Sequence, residues 1–140
     1  MVDFTLYQGD CLEKMKNIPD KSIDMVLCDL PYGVTENEWD NIIDAEKLFT
    51  QYKRIVKQNA NVLLFCQIEF AKYLMESTYK SEFSHCLIWE KRNKTRYLST
   101  KKLPLSQYEM ILVFRLNKYA NKNSHGKLRE YFMTELKKVA

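Results

Sequence analysis

Strand-like apolar runs alternate with helix-spaced ones along most of this chain. Phe4 to Tyr7 is a short β-prone run closed by Gly9-Asp10, after which Cys11 to Met15 reads as one or two helical turns. Pro19-Asp20 makes a turn. Ile23-Asp24-Met25-Val26-Leu27-Cys28 is an almost continuous apolar run, which suits a strand buried on both faces of a parallel sheet; by pattern alone it also fits a buried helix. It stops abruptly at Asp29-Leu30-Pro31-Tyr32-Gly33.

Beyond a polar loop, Leu48, Phe49, Tyr52, Ile55 and Val56 recur at helical spacing. Asp44 is placed to cap the start, and Lys53, Arg54 and Lys57 favour the negative end of the helix dipole. Asn59-Ala60-Asn61 should end that helix, Val62 to Cys66 reads as another strand, and Phe70, Tyr73 and Leu74 as a further helix. Cys86 to Glu90 and Glu109 to Phe114 are two more expected strands, with antiparallel neighbours as one arrangement for them, separated by a polar stretch containing Pro104. Strands alternating with helices predict an α/β sheet with helices on its faces. Residues 1–116 form the main unit of this expectation, 117–126 a polar loop or linker, and 127–140 an amphipathic helix carrying Leu128, Tyr131, Phe132 and Leu136.

Composition narrows the class without naming a function. A chain of 140 residues, 46% apolar and 29% charged, is long enough for one cored domain. A net charge of +4 says little about a polyanionic partner, but its distribution says more. Lys91, Arg92, Lys94, Arg96, Lys101 and Lys102 follow one another with no acid between them, a candidate for contacts with DNA phosphates that reads equally as a solvated loop. Cys11, Cys28, Cys66 and Cys86 lie far apart and at no zinc-ligand spacing to His85 or His125, so free and mostly buried thiols are expected, and no metal. Without an apolar run of membrane-spanning length or a signal peptide, the expected location is cytoplasmic.

The candidate chemistry sits where the first apolar run ends. Open α/β sheets bind ligands outside the carboxyl ends of their strands, and Asp29 to Gly33 is such an exit. Pro31 biases Leu30 towards extended backbone, so the Leu30 carbonyl can face a cleft beside the Asp29 carboxylate, with Tyr32 as a flat face. Two acceptors and a ring suit an exocyclic amine on a base: each acceptor takes one amine hydrogen and the ring stacks. Freed from conjugation, the amine lone pair can attack an electrophilic methyl carbon without a strong base. Extruding a base from a duplex costs a few kcal/mol, and one aromatic stack returns about 1–3 kcal/mol. Holding amine and methyl donor in line can contribute about 7–11 kcal/mol to the barrier, so positioning dominates.

Asp29-Leu30-Pro31-Tyr32 resembles the DPPY motif of amino-directed DNA methyltransferases. Gly9-Asp10-Cys11 before it, Trp39-Asp40 after it, then Arg54-Ile55-Val56-Lys57, Leu87-Ile88-Trp89-Glu90-Lys91 and Tyr108-Glu109 resemble the amino-terminal half of the subgroup that places its catalytic motif first. The resemblance implies a Rossmann-like methyltransferase sheet, S-adenosylmethionine as cofactor with Asp10 and Cys11 near its adenosyl part, and a flipped adenine held by Asp29, Leu30, Pro31 and Tyr32 in a restriction-modification setting. Asp rather than Ser at the first motif position implies adenine N6 over cytosine N4. Asp10 also reads as a plain helix cap, and Trp39 and Trp89 as packing residues.

Two departures shape the expectation. Leu30 stands where the family has its first proline, a small change because the implied role belongs to a backbone carbonyl. The family's glycine-rich F-x-G-x-G segment has no counterpart: Gly9, Gly33 and Gly126 are the only glycines. An incomplete sheet lacking carboxyl-terminal strands follows, with an open strand edge that invites a second polypeptide or a second copy, and weak cofactor binding by this chain alone.

Overall fold

The computed structural model describes residues 3–33, 37, 40–95 and 106–117. The expected 127–140 helix, nearly all of the 117–126 linker, and Trp39, Arg96, Lys101, Lys102 and Pro104 lie outside them.

Helix α1 (Cys11–Met15) starts where Asp10 accepts hydrogen bonds from the Leu12 and Glu13 amides at 2.8 and 3.2 Å. Strand β1 (Ile23–Asp29) follows. Helix α2 (Ala45–Ile55) is capped by Asp44, whose carboxylate accepts from the Lys47 amide at 3.1 Å. Its buried stripe of Ala45, Leu48, Phe49, Tyr52 and Ile55 has the helical period read from the sequence. The chain then turns directly into β2 (Val56–Cys66), because Val56 already has extended backbone. Helix α3 (Ile68–Glu76), a 3₁₀ turn (Thr78–Glu82), β3 (Phe83–Thr95) and β4 (Ser106–Arg115) complete the order.

The strands form one sheet in the order β1-β2-β4-β3, with β1 and β2 parallel and the other two pairings antiparallel. The antiparallel arrangement of the last two strands is therefore the one adopted. Buried side chains of all three helices join one cluster with Val62, Leu64, Cys66, Leu112 and Phe114, strand residues of a single parity. Arg54 ties α2 to the end of α1: its guanidinium donates to the carbonyls of Met15 and Ile18 at 2.7 and 2.9 Å and pairs with Asp20 at 2.5 Å.

Five expectations change. Phe4 to Tyr7 is not a strand, and Phe4 and Leu6 stand in solvent; a β-prone run becomes a strand only with a neighbour for its backbone groups. The described helices cover one face of the sheet rather than both. Strand β1 is accordingly not buried on both faces: Met25 and Leu27, which point away from the helices on an edge strand, are 53% and 57% exposed. Asn59-Ala60-Asn61 does not precede the strand but belongs to it. Asn59 takes a left-handed φ of 60° that asparagine tolerates, and the register to β1 slips from Ile23↔Val56 to Met25↔Asn61. The cysteines are free, but only Cys66 is buried; Cys11 and Cys86 are exposed. Burial pushes the Cys66 thiol up to about 11.

Candidate active site

The site grows from the end of β1. Asp29 closes that strand, in register with Phe65 of β2, and its carboxylate is exposed. Leu30 turns the other way and buries its side chain in the helix-covered core at 5% exposure. Leu30 thus anchors the turn by apolar burial.

Tyr32 is held on two sides. Its hydroxyl donates to Asp29 Oδ1 at 2.5 Å, and its ring lies 5.2 Å from Phe70 of α3, tilted by 42°. Burial and the Asp29 carboxylate hold the phenol well above the usual tyrosine range, so it stays a donor. Phe70 is itself buried and packs on Tyr73, whose hydroxyl accepts from the Ala45 amide at 3.1 Å and donates to the Ile43 carbonyl at 3.3 Å.

Gly33 finishes the turn with φ of +67°. Its amide donates to Asp40 Oδ1 at 2.9 Å, and Asp40 is 6% exposed. A Cβ on Gly33 would come within 2.8 Å of Ile42 Cγ1, so glycine is required by conformation and by space. Neither Asp40 nor Phe70 was among the site residues expected from sequence. The Trp39-Asp40 pair carried a faint signal for the first, and nothing local pointed to the second.

On the sheet beside Asp29, Phe65 meets Trp89 of β3 edge to face at 5.3 Å, and Trp89 remains 49% exposed. Lys91 pairs with Glu109 of the adjacent β4, and both are largely shielded. The expected basic stretch is thus divided: Lys91 is engaged within the sheet, Arg92 is exposed, Lys94 lies on β3, and the remainder falls outside the described residues.

Asp10 and Cys11 are placed at the start of α1, Asp10 as its cap and Cys11 exposed, with the thiol raised above its ordinary range by partial burial and by Asp10. Burial raises the Cys28 thiol and the Tyr52 phenol above their ordinary ranges. A Cβ on Gly9, whose φ is +123°, would lie 2.9 Å from Lys14 Cε, the far end of a flexible side chain, so backbone conformation rather than space favours glycine there. Among the described residues no group of three or more His, Cys, Asp or Glu could hold a metal, and no helix is long and apolar enough to cross a membrane.

Comparison with known proteins supplies the context. The Type II methyltransferase M2.MboI of Moraxella bovis is 24% identical over 97% of this chain and 55% of its own length. M.HinfI of Haemophilus influenzae is 28% identical over 64% of this chain and 32% of its own. The chain thus spans about half the length of the first relative and less of the second. Among solved structures, the M1.HpyAVI–SAM complex superimposes with a TM-score of 0.56 at 20% identity, covering 86% of this chain and 62% of that one. PvuII DNA methyltransferase, described as cytosine-N4-specific, gives 0.55 at 14% identity over 86% and 58%. No family model matches. The α/β sheet is the fold shared with these methyltransferases, of which this chain carries a part.

Proposed function

We propose that this chain is the catalytic half of a DNA methyltransferase that transfers a methyl group from S-adenosylmethionine to adenine N6. The observation that carries the reading is the turn at 29 to 33, which joins an exposed carboxylate, an aromatic ring and a pinned backbone at the carboxyl end of a parallel strand. Similarity to Type II methyltransferases across 97% of the chain supports the reaction class. Asp29 at the first motif position supports adenine over cytosine, although one structural neighbour is described as cytosine-N4-specific.

In this reading a flipped adenine stacks on Tyr32, and its amine donates one hydrogen to the Asp29 carboxylate and the other to the Leu30 carbonyl. The amine nitrogen, drawn out of conjugation, would present its lone pair to the methyl carbon; as the N–C bond forms the S–C bond would break, leaving a neutral thioether, and the amine proton held by Asp29 would pass through that carboxylate to water. When bound, the sulfonium cofactor supplies that methyl group as an electrophile. Asp10 and Cys11 would lie beside its adenosyl part. The glycine-rich segment that the resemblance expects for its methionine part has no counterpart among these residues. That part of the site would come from chain that pairs with the open edge of β1, a second polypeptide or a second copy among the candidates. Arg92, Lys94, Arg96, Lys101 and Lys102 would meet DNA phosphates.

A second reading draws on the missing glycine-rich segment: a subunit that binds DNA or a companion chain without turnover. Methyl incorporation into DNA by the intact chain and by Asp29→Ala separates the two. The enzyme reading expects N6-methyladenine as product and at least about a hundredfold loss in the variant. Equal incorporation would remove Asp29 from the mechanism, and N4-methylcytosine as product would reassign the substrate. DNA binding without incorporation, together with no cofactor binding at micromolar concentration, supports the second reading.

A further inference from the structure

We infer that the Tyr32 hydroxyl, and not only its ring, serves base recognition: it orients the Asp29 carboxylate so that Oδ2 is presented to the target amine. This rests on the base-holding role proposed for Asp29.

The geometry assigns the hydroxyl a single job. It donates to Oδ1 at 2.5 Å across a three-residue turn. A carboxylate offers about four lone-pair positions, so one bond at Oδ1 leaves Oδ2 able to accept an amine hydrogen. Asp29 is an exposed residue at the last position of an edge strand, where an unbonded carboxylate would sample several rotamers. The hydroxyl removes that freedom before a base arrives. It can do so because the ring is fixed in turn by buried Phe70, which Tyr73 backs at 5.7 Å. The chain 73, 70, 32, 29 thus runs from α3 to the acceptor. Phe70 and the hydroxyl are positioning groups, and Asp29 is the group that meets the base.

Two DNA duplexes test this, one carrying adenine and the other purine, which lacks the amine, each opposite an abasic site and flanked by random sequence. Affinities are measured for the full chain, Tyr32→Phe, Asp29→Ala and the double variant. Phenylalanine keeps the ring and the contact with Phe70, so the hydroxyl's part is read from the ratio of adenine- to purine-duplex affinity within each variant. The adenine-over-purine preference should fall about fivefold in Tyr32→Phe. In the Asp29→Ala background the same change should have no further effect, because the hydroxyl acts only through the carboxylate. An undiminished preference in Tyr32→Phe overturns the inference, as does tighter adenine binding, which would make the hydroxyl a competitor. An equal loss in both backgrounds also overturns it. If the unmodified chain shows no adenine preference, the base-holding reading itself fails.

Discussion

At the scale of single residues, the candidate site depends on a turn held from beneath. Gly33 adopts a left-handed φ, Asp40 accepts its amide hydrogen, and Leu30 is sunk in the core, so Asp29 and Tyr32 project from fixed backbone. A buried carboxylate that accepts a backbone amide is costly to disturb, because removing it leaves a donor without its acceptor. Asp40→Ala should therefore lower stability by about 1–3 kcal/mol in chemical denaturation, and Asp40→Asn, which retains an acceptor oxygen, by less. Equal losses in the two variants would mean that the Gly33 bond contributes nothing.

At the scale of elements, α2 is the brace for the site's foundation. It packs Leu48 and Phe49 into the core, and Phe49 meets Phe114 of β4 at 4.8 Å while stacking on Tyr79 at 5.0 Å. Its carboxyl end is held by Asn117, whose amide donates to the carbonyls of Lys53 and Val56, and Arg54 clasps the end of α1. Its amino end depends on Asp44. Asp44→Ala should cost about 1 kcal/mol, while Asp44→Ser, which can still accept from the Lys47 amide, should recover most of it. Matching melting temperatures for the two variants would show that the cap does not limit stability.

At the scale of the whole molecule, the sheet is uneven. One face carries the helices, while Met25, Leu27 and Trp89 stand out on the other. Lys91 is already committed to Glu109, which removes it from the set available to phosphates. DNA affinity should fall steeply with salt, and replacing Lys94 and Arg96 by Gln should reduce the slope of log K against log salt by about 2. Replacing Lys91 should leave that slope unchanged. A slope indifferent to positions 94 and 96 would move the DNA interface elsewhere.

Much of this was legible along the chain because it is local. The 23 to 28 run, the Pro31 and Gly33 punctuation that stops it, and the period and cap of α2 are decided by residues within a few positions of one another, and the structure keeps them. Tertiary structure alone decided the rest. Phe4 to Tyr7 has a strand's composition, but strand formation needs a partner's backbone groups, which no local pattern supplies. Asn59 to Asn61 reads as a stop, yet the Asn59 amide bonds to the Asn117 carbonyl and the Leu116 amide to the Ala60 carbonyl, so the chain continues as a bulged strand. The same holds for the proposed site: its residue types are contiguous in sequence, whereas the Asp40 and Phe70 contacts that orient them come from 7 and 38 positions further along the chain, counted from Gly33 and Tyr32. Orientation is a property of packing, and packing joins residues that the sequence keeps apart.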